Sequence, residues 1–338
     1  FWTALMDGLP EHARVYGVER TVCEPAGFEE FRIEESDSTP GGVPVMLPDL
    51  APCPECLEEM HDPSSRRYHY PFTNCTHCGP RYSIIETMPY DRAGTSMKGF
   101  RMCPECRREY QDVEDRRFHA QPIGCPSCGP SVKVLFSDGS ELGFGHGFDT
   151  PAAQAAWVLA DGLIVALLGV GGFQLLADAS SEAAVRRLRR LKERDAKPFA
   201  VMVPDVAAAE RLCRLSEEER RLLASPAAPI VLARGRKDVD LAPSVCMFSR
   251  FVGIMLPSSP LHALLMDVWG KPLVVTSGNL SGEPLCVSVE EGLEKLGHVA
   301  DVFLVHDRPV VRPVDDSVVR VTDGRAMMVR RARGYAPR

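Results

Sequence analysis

Eight cysteines between positions 53 and 128 fall into four Cys-x-x-Cys pairs: Cys53/Cys56, Cys75/Cys78, Cys103/Cys106 and Cys125/Cys128. Eighteen residues separate the first pair from the second, and eighteen the third from the fourth, so the unit recurs with a 50-residue period. The copies share more than cysteine. Cys53-Pro54-Glu55-Cys56 returns as Cys103-Pro104-Glu105-Cys106, Arg66-Arg67-Tyr68-His69 as Arg116-Arg117-Phe118-His119, and Cys78-Gly79-Pro80 as Cys128-Gly129-Pro130. A duplication this strict points to one structural task performed twice.

Two thiolates three residues apart can grip a metal from one tight turn, and a second pair completes a tetrahedron. The spacing resembles a four-cysteine zinc site. The sequence therefore predicts two structural Zn2+ ions held by Cys53, Cys56, Cys75, Cys78, Cys103, Cys106, Cys125 and Cys128, most simply one per repeat; interleaved pairing stays open. Four thiolates leave a zinc with a formal charge of −2, and Arg66, Arg67, Arg81, Arg107, Arg108, Arg116 and Arg117 lie near in sequence to offset it. His69 and His119 are expected to pack rather than ligate. Disulfides or a redox pair would not require the duplicated spacing.

The chain has 338 residues, 45% hydrophobic, enough for one sizeable core plus small modules. A net charge of −7 speaks against a general polyanion surface, so no nucleic-acid partner is expected. The four remaining cysteines, Cys23, Cys213, Cys246 and Cys286, form no framework and suit a reducing, cytoplasmic setting. The most apolar stretch, Ala152 to Leu168, is broken by Asp161 and Gly162, and neither a membrane span nor a signal peptide is expected. Phe1 opens in mid-pattern, as a fragment would.

Three regions are expected: 1–40, a remnant of a preceding domain with its linker; 41–131, an irregular module that folds on metal; and 132–338, one α/β domain. Within 1–40, Ala13 to Val18 and Phe31 to Ile33 alternate as strands do. Val132 to Phe136 and the turn 137–140 predict a hairpin. From Thr150 helices and apolar strands alternate. Helices are expected from Pro151, Ser181 and Pro260, with capping boxes at Ser216/Glu219 and Ser288/Glu291. Strands are expected at Leu163–Leu168, Phe199–Val203, Ile230–Ala233, Val252–Leu256, Leu273–Thr276, Val302–Val305, Val318–Val321 and Ala326–Val329. Helices do not intervene everywhere, so the sheet is predicted to be mixed.

No G-x-x-x-x-G-K-[ST] occurs, and Gly169-Val170-Gly171-Gly172 is not a dinucleotide fingerprint. Lys192, Arg194 and Lys197 crowd a helix end. On their own such cations complement the helix dipole. In the same domain, however, Thr276-Ser277-Gly278-Asn279 and Asp315-Asp316-Ser317 place hydroxyls, an amide and small turns at strand ends, which suits phosphate oxygens and a small carboxylate.

These segments, with Leu167 to Asp178, Lys192 to Met202, Gly253 to Pro257 and Ser281 to Leu285, resemble a YrdC-type domain. Preceded by the duplicated knuckles, they resemble the HypF carbamoyltransferases of [NiFe]-hydrogenase maturation over almost the whole chain. The first 35 or so residues are similar to the end of that family's acylphosphatase domain. Its phosphate-binding loop and the C-terminal transferase domain have no counterpart in this sequence. The resemblance implies a YrdC-like fold with a large twisted mixed sheet, and an activity in which carbamate, derived from carbamoyl phosphate, joins ATP as carbamoyl adenylate. The carbamoyl group then passes to a cysteine of the partner HypE. It implies Lys192, Arg194 and Lys197 as catalytic groups on the phosphates and carbamate. Thr276, Ser277, Asn279 and Ser317 would bind nucleotide and carbamate, Arg330 and Arg333 would close the pocket, and Mg2+ would travel with ATP, with Asp315 or Asp316 as a candidate ligand. Relatives usually carry Lys and His where this chain has Leu168 and Gln174. Two other readings share these features: a threonylcarbamoyl-adenylate synthase of tRNA modification, and a zinc-dependent interaction scaffold.

Overall fold

A computed structural model describes residues 2–9, 15, 17–27, 29, 46–143 and 148–337. Trp2–Asp7 is a short helix, and Val15, Gly17 and Val18 carry no strand, contrary to the alternating pattern there; the segment Phe31–Ile33 lies outside the described residues.

From Val132 onward the chain builds an 11-stranded mixed sheet. Its strands are β1 (Val132–Phe136), β2 (Val165–Leu168), β3 (Phe173–Asp178), β4 (Ala200–Met202), β5 (Cys213–Arg214), β6 (Ile230–Gly235), β7 (Phe251–Met255), β8 (Leu273–Ser277), β9 (Val302–His306), β10 (Val318–Thr322) and β11 (Arg325–Arg330). The spatial order is β1-β9-β2-β3-β8-β4-β7-β6-β10-β11, with β5 beside β6. The β2/β9, β4/β7 and β6/β10 pairs are parallel and the others antiparallel.

Both faces of this sheet are covered, which is why its strands read as unbroken apolar runs. Along β9, Phe303 and Val305 join the helices Glu182–Leu191, Val206–Leu212, Glu217–Leu223 and Val289–Leu296 in one core. Val302 and Leu304 face the helices Pro151–Ala160 and Pro260–Trp269 in the other. Short polar caps set the helix starts: Thr150 Oγ1 accepts from Ala153 N at 3.2 Å, Ser181 Oγ from Ala184 N at 3.3 Å, and Ser216 forms a full capping box with Glu219. At Ser288 the box is only half formed, because the Glu291 carboxylate accepts from Val287 N instead.

Two strand expectations changed. The segment after Gly172, absent from the expected strands, returns as β3 in a tight hairpin antiparallel to β2. The turn after β1 forms, with Phe136 N donating to Ser140 O at 2.8 Å, but the returning arm is a single bridge. The long partner of β1 is β9.

The cysteine-bearing segment packs on one end of the sheet domain. Each repeat contains a short helix, Pro54–His61 and Pro104–Gln111, opened by a cysteine and a proline at its first position. Ala51 N donates to Pro226 O at 2.8 Å, Val311 N to Ser83 O at 2.8 Å, and Ser131 N to Asp307 Oδ1 at 2.8 Å across the seam. Met60 packs with Ala152, Ala263 and Leu264.

Candidate active site and metal centres

The repeats each gather their own four sulfurs: Cys53, Cys56, Cys75 and Cys78 in one cluster, Cys103, Cys106, Cys125 and Cys128 in the other. The interleaved alternative is thereby removed. A tetrahedron with arms of about 2.3 Å requires sulfurs about 3.8 Å apart. Neighbouring sulfurs lie 3.6, 3.9 and 3.5 Å apart in the first cluster and 3.7, 3.7 and 3.5 Å in the second. All ligand atoms of a cluster fall within 4.8 Å of one another, so both clusters fit zinc fingers. His69 and His119 stand outside them at φ 54°, stacked on Tyr68 and Tyr110.

The arginines that neutralise the clusters work across the duplication. Arg66 and Arg67 of the first repeat reach Cys106 and Glu109 of the second; Arg116 of the second reaches Cys56, and both it and Arg117 pair with Glu59 of the first. Burial works against the Glu109 charge, but Arg67 and Arg66 outweigh it and hold the carboxyl down at about 2. Arg81 instead binds backbone, donating to Pro80 O, Cys75 O and Thr76 O. Arg107 and Arg108 make no side-chain hydrogen bond among the described residues.

A cavity of ≈ 500 Å³ opens on the sheet against β4, β6, β7, β8 and β10. Its floor is apolar, with Phe199, Ile230, Leu232, Phe251, Val275 and Val318; its other wall is polar, with Arg194, Lys197, Thr276, Ser277, Asp315, Asp316 and Arg330. An apolar floor with a cationic wall suits a base at one end and phosphates at the other.

Of the residues singled out in the sequence, Arg194, Lys197, Thr276, Ser277 and Arg330 line this cavity. Lys192, Asn279, Ser317 and Arg333 support its wall from behind. Lys192 is 2% exposed, and its ammonium donates to Ser277 O, to Asn279 O at 2.6 Å and to Asn279 Oδ1 at 3.0 Å. Its three N–H groups are therefore committed to shaping the 277–279 turn. Burial, helped by Arg194, pushes Lys192 down to about 8. Ser277 Oγ donates to Asn279 Oδ1 at 2.7 Å, and Asn279 Nδ2 to Glu283 O at 2.6 Å. Ser317 Oγ donates to Arg333 O and accepts from Ala332 N, both at 2.8 Å. Arg333 pairs with Asp316 at 2.9 Å and caps Ala228 O at 2.8 Å.

Arg330 pairs with Asp315 at 2.5 Å and donates to Asp316 O at 2.8 Å. Burial raises the Asp315 carboxyl above its ordinary range, with Arg330 pulling the other way. For Asp316 burial also opposes the charge, but Arg333 overcomes it and holds the carboxyl low.

Sequence reasoning missed two groups. Arg189, on the inward face of the helix Glu182–Leu191, donates to Ser244 O at 2.6 Å, Arg194 O at 2.9 Å, Lys197 O at 3.0 Å and Val245 O at 3.2 Å. It also lies over the Phe199 ring at 4.5 Å, folding the 193–198 loop that carries Arg194 and Lys197. The signal was an arginine one position after Leu188, in the stripe that faces the core. His262 is the second. Burial pushes it down to about 4, so it is neutral. Ser258 Oγ lies 3.2 Å from its Nδ1, its Nε2 donates to Gln174 Oε1 at 2.8 Å, and Gln174 Nε2 donates to Asp316 Oδ2 at 2.6 Å. Gln174 thus joins the neutral His262 to the Asp316–Arg333 pair, and Leu168 is buried in the core.

Residues 157–332 match the Sua5/YciO/YrdC family model, described as "Telomere recombination", and residues 53–85 and 102–135 match the "HypF finger" model. The chain is 49% identical, over 92% of its length, to the carbamoyltransferase HypF of Synechocystis sp. and 48% identical, over 100%, to that of Rhodobacter capsulatus. The chain belongs to the HypF family. It spans 40% and 44% of those two HypF proteins. It also superposes on a crystal structure of full-length HypF in the phosphate- and nucleotide-bound form with a TM-score of 0.88, at 48% identity, over 93% of this chain and 40% of that one. A HypF structure from T. kodakarensis gives 0.88 at 39% identity, over 99% and 43%. The YrdC-like domain has more distant relatives too: mouse threonylcarbamoyl-AMP synthase is 35% identical over 46% of this chain and 55% of that protein. No helix among the described residues is long and apolar enough to cross a membrane.

Proposed function

We propose that this chain forms carbamoyl adenylate from carbamate and ATP, as the adenylating part of a carbamoyltransferase in hydrogenase maturation. The observation that carries this reading is the 500 Å³ cavity whose cationic wall, Arg194, Lys197 and Arg330, meets the Thr276–Asn279 turn. In the reaction a carboxylate oxygen of carbamate bonds to the α-phosphorus while the bond to the β-phosphate oxygen breaks and pyrophosphate leaves. The protein's part is positioning and charge stabilisation. Arg194 and Lys197 face the phosphates, Thr276 offers its hydroxyl to the α-phosphate, Ser277 borders the acid as part of the turn it forms with Asn279, and Arg330 flanks the nucleotide. Lys192, Asn279, Ser317 and Arg333 position these groups. The 132–338 region would be the adenylating domain, 41–131 the metal module and 1–40 the remnant of an acylphosphatase-like domain.

Each four-cysteine cluster would hold one Zn2+, closed by thiolates and structural, contributing on the order of 10 kcal/mol to folding of a module poor in core. Mg2+ would arrive with the nucleotide. Neither carboxylate is a fitting ligand for it, since Asp316 is engaged by Arg333 and Gln174, and Asp315 by Arg330. The carbamoyl group would pass to the terminal cysteine of a HypE-like acceptor in the cytoplasm.

The test is exchange of labelled pyrophosphate into ATP with ammonium carbamate and Mg2+. Exchange that depends on carbamate and disappears in Asn279→Ala, with zinc content intact, supports the reading. Exchange untouched by Asn279→Ala sinks the site assignment.

A further inference from the structure

The acid that attacks the α-phosphorus must sit at the polar end of the cavity, where Ser277, Asp315 and Asp316 form the wall. Behind Asp315 and Asp316 lies a recess of ≈ 20 Å³, bounded by the 169–172 loop, Ser258, His262, Leu285 and Val314. That is space for on the order of one water-sized group.

The recess is held small by a zipped backbone. Gly169 N donates to Gly172 O at 2.9 Å, Val314 N to Gly171 O at 2.9 Å, Phe173 N to Cys286 O at 2.8 Å and Cys286 N to Gly278 O at 3.0 Å. Two side chains press on the loop from either side. A Cβ at Gly171 would strike Val314, and one at Gly172, where φ is +137°, would meet Leu285 Cδ2 at 2.6 Å.

We infer that Leu285 and Val314 set the acid specificity of the adenylation site: they leave room for the unsubstituted nitrogen of carbamate and refuse N-carboxy amino acids. This rests on the adenylation reading. The chemistry is common to both kinds of acid, since each offers a carboxylate oxygen to the α-phosphorus with pyrophosphate leaving, so steric room decides between them. The neighbouring polar groups do not compensate. Gln174 is bound on both sides by His262 and Asp316, and Arg333 by Asp316, which leaves no unpaired cation among the described residues of the recess to receive an amino acid's own carboxylate.

The experiment measures pyrophosphate exchange by the whole chain with ammonium carbamate and, separately, with glycine or L-alanine in bicarbonate, which supply the N-carboxy forms. The wild type is expected to use carbamate only. In Leu285→Ala and in Val314→Ala the glycine-to-carbamate ratio should rise by roughly tenfold or more, the usual scale for opening a pocket by a few methylenes. A wild type that uses glycine as readily as carbamate overturns the inference. So does a ratio unchanged in both variants when each keeps its zinc and its ATP affinity. Silence of the wild type with carbamate itself overturns the adenylation reading and the inference with it, and is told apart because no acid then supports exchange.

Discussion

The Arg66 guanidinium donates from Nη1 and Nη2, each at 3.3 Å, to the Sγ of Cys106 in the other repeat. Arg116 returns the contact, with Nη1 at 3.1 Å from Cys56 Sγ. Each cluster therefore receives an arginine N–H···S hydrogen bond from the opposite copy. Removing a hydrogen-bonding partner of a ligand commonly costs 10–100-fold in metal affinity. Arg116→Gln is expected to weaken zinc at the Cys53 cluster by about that factor, and Arg66→Gln at the Cys103 cluster. Competition with a chromophoric chelator reads this directly. Loss confined to the mutated residue's own repeat would contradict the crossed arrangement.

Lys192 gives a pH dependence. Its folded pKa, about 8, lies below the ordinary 10.5. Above about 8 the buried amine loses a proton and with it one of three donors to the 277–279 turn, so exchange activity should fall on the alkaline side. Stability moves the other way. Between about 8 and 10.5 the unfolded chain binds more protons at this group than the folded one, so this contribution to stability rises with pH and is smallest below 8. Exchange that holds level from about pH 7 to about pH 10 would argue against a charged Lys192 as the strut of the turn.

How far the sequence reaches can be judged at particular residues. The cysteine spacing specified the eight ligands and their pairing into knuckles, because a Cys-x-x-Cys turn is a local geometry, whereas which knuckles share a cluster is decided by the fold. Which arginine serves which cluster was not legible, since two near-identical repeats offer the same residues and only the packing distinguishes them. Lys192, Arg194 and Lys197 were visible as a cluster, yet their division of labour depends on Arg189, which reads as an ordinary member of a basic helix. β3 escaped notice because Gly169 to Gly172 looks like a loop leading to a helix. It is instead a tight reversal, with Gly172 at φ +137° folding the chain back on β2.

Arg189 is the next test. Four carbonyls, those of Ser244, Val245, Arg194 and Lys197, depend on its guanidinium. Of these, the Val245 carbonyl bond is fully buried, and leaving a buried acceptor dry costs about 1–3 kcal/mol, so Arg189→Met should lower unfolding stability by about that much in urea titrations. The 193–198 loop should lose its shape and exchange should fail. Arg189→Lys is expected to rescue little, because one ammonium cannot span acceptors that the planar fork reaches together. Full rescue by lysine would show that only the charge matters.

The chain Ser258, His262, Gln174, Asp316, Arg333 carries the last prediction. Each link has a fixed direction: His262 Nε2 donates to the Gln174 amide oxygen, and the amide nitrogen donates to Asp316. Gln174→Leu leaves His262 Nε2 and Asp316 Oδ2 without partners and should cost about 1–3 kcal/mol for each, with slower exchange because Asp316 also borders the cavity. Gln174→Glu acts differently. A carboxylate can still accept from His262 but cannot donate to Asp316, and the added negative charge favours protonated imidazole. The His262 pKa should then climb from about 4 toward the neutral range, visible by NMR titration of the ring. Because that rise brings the folded pKa closer to the unfolded value, the stability lost at acid pH through His262 should shrink, while the Asp316 contact grows worse at all pH values where both carboxylates are charged. An imidazole pKa that stays near 4 in Gln174→Glu would mean that His262 does not face residue 174 in solution.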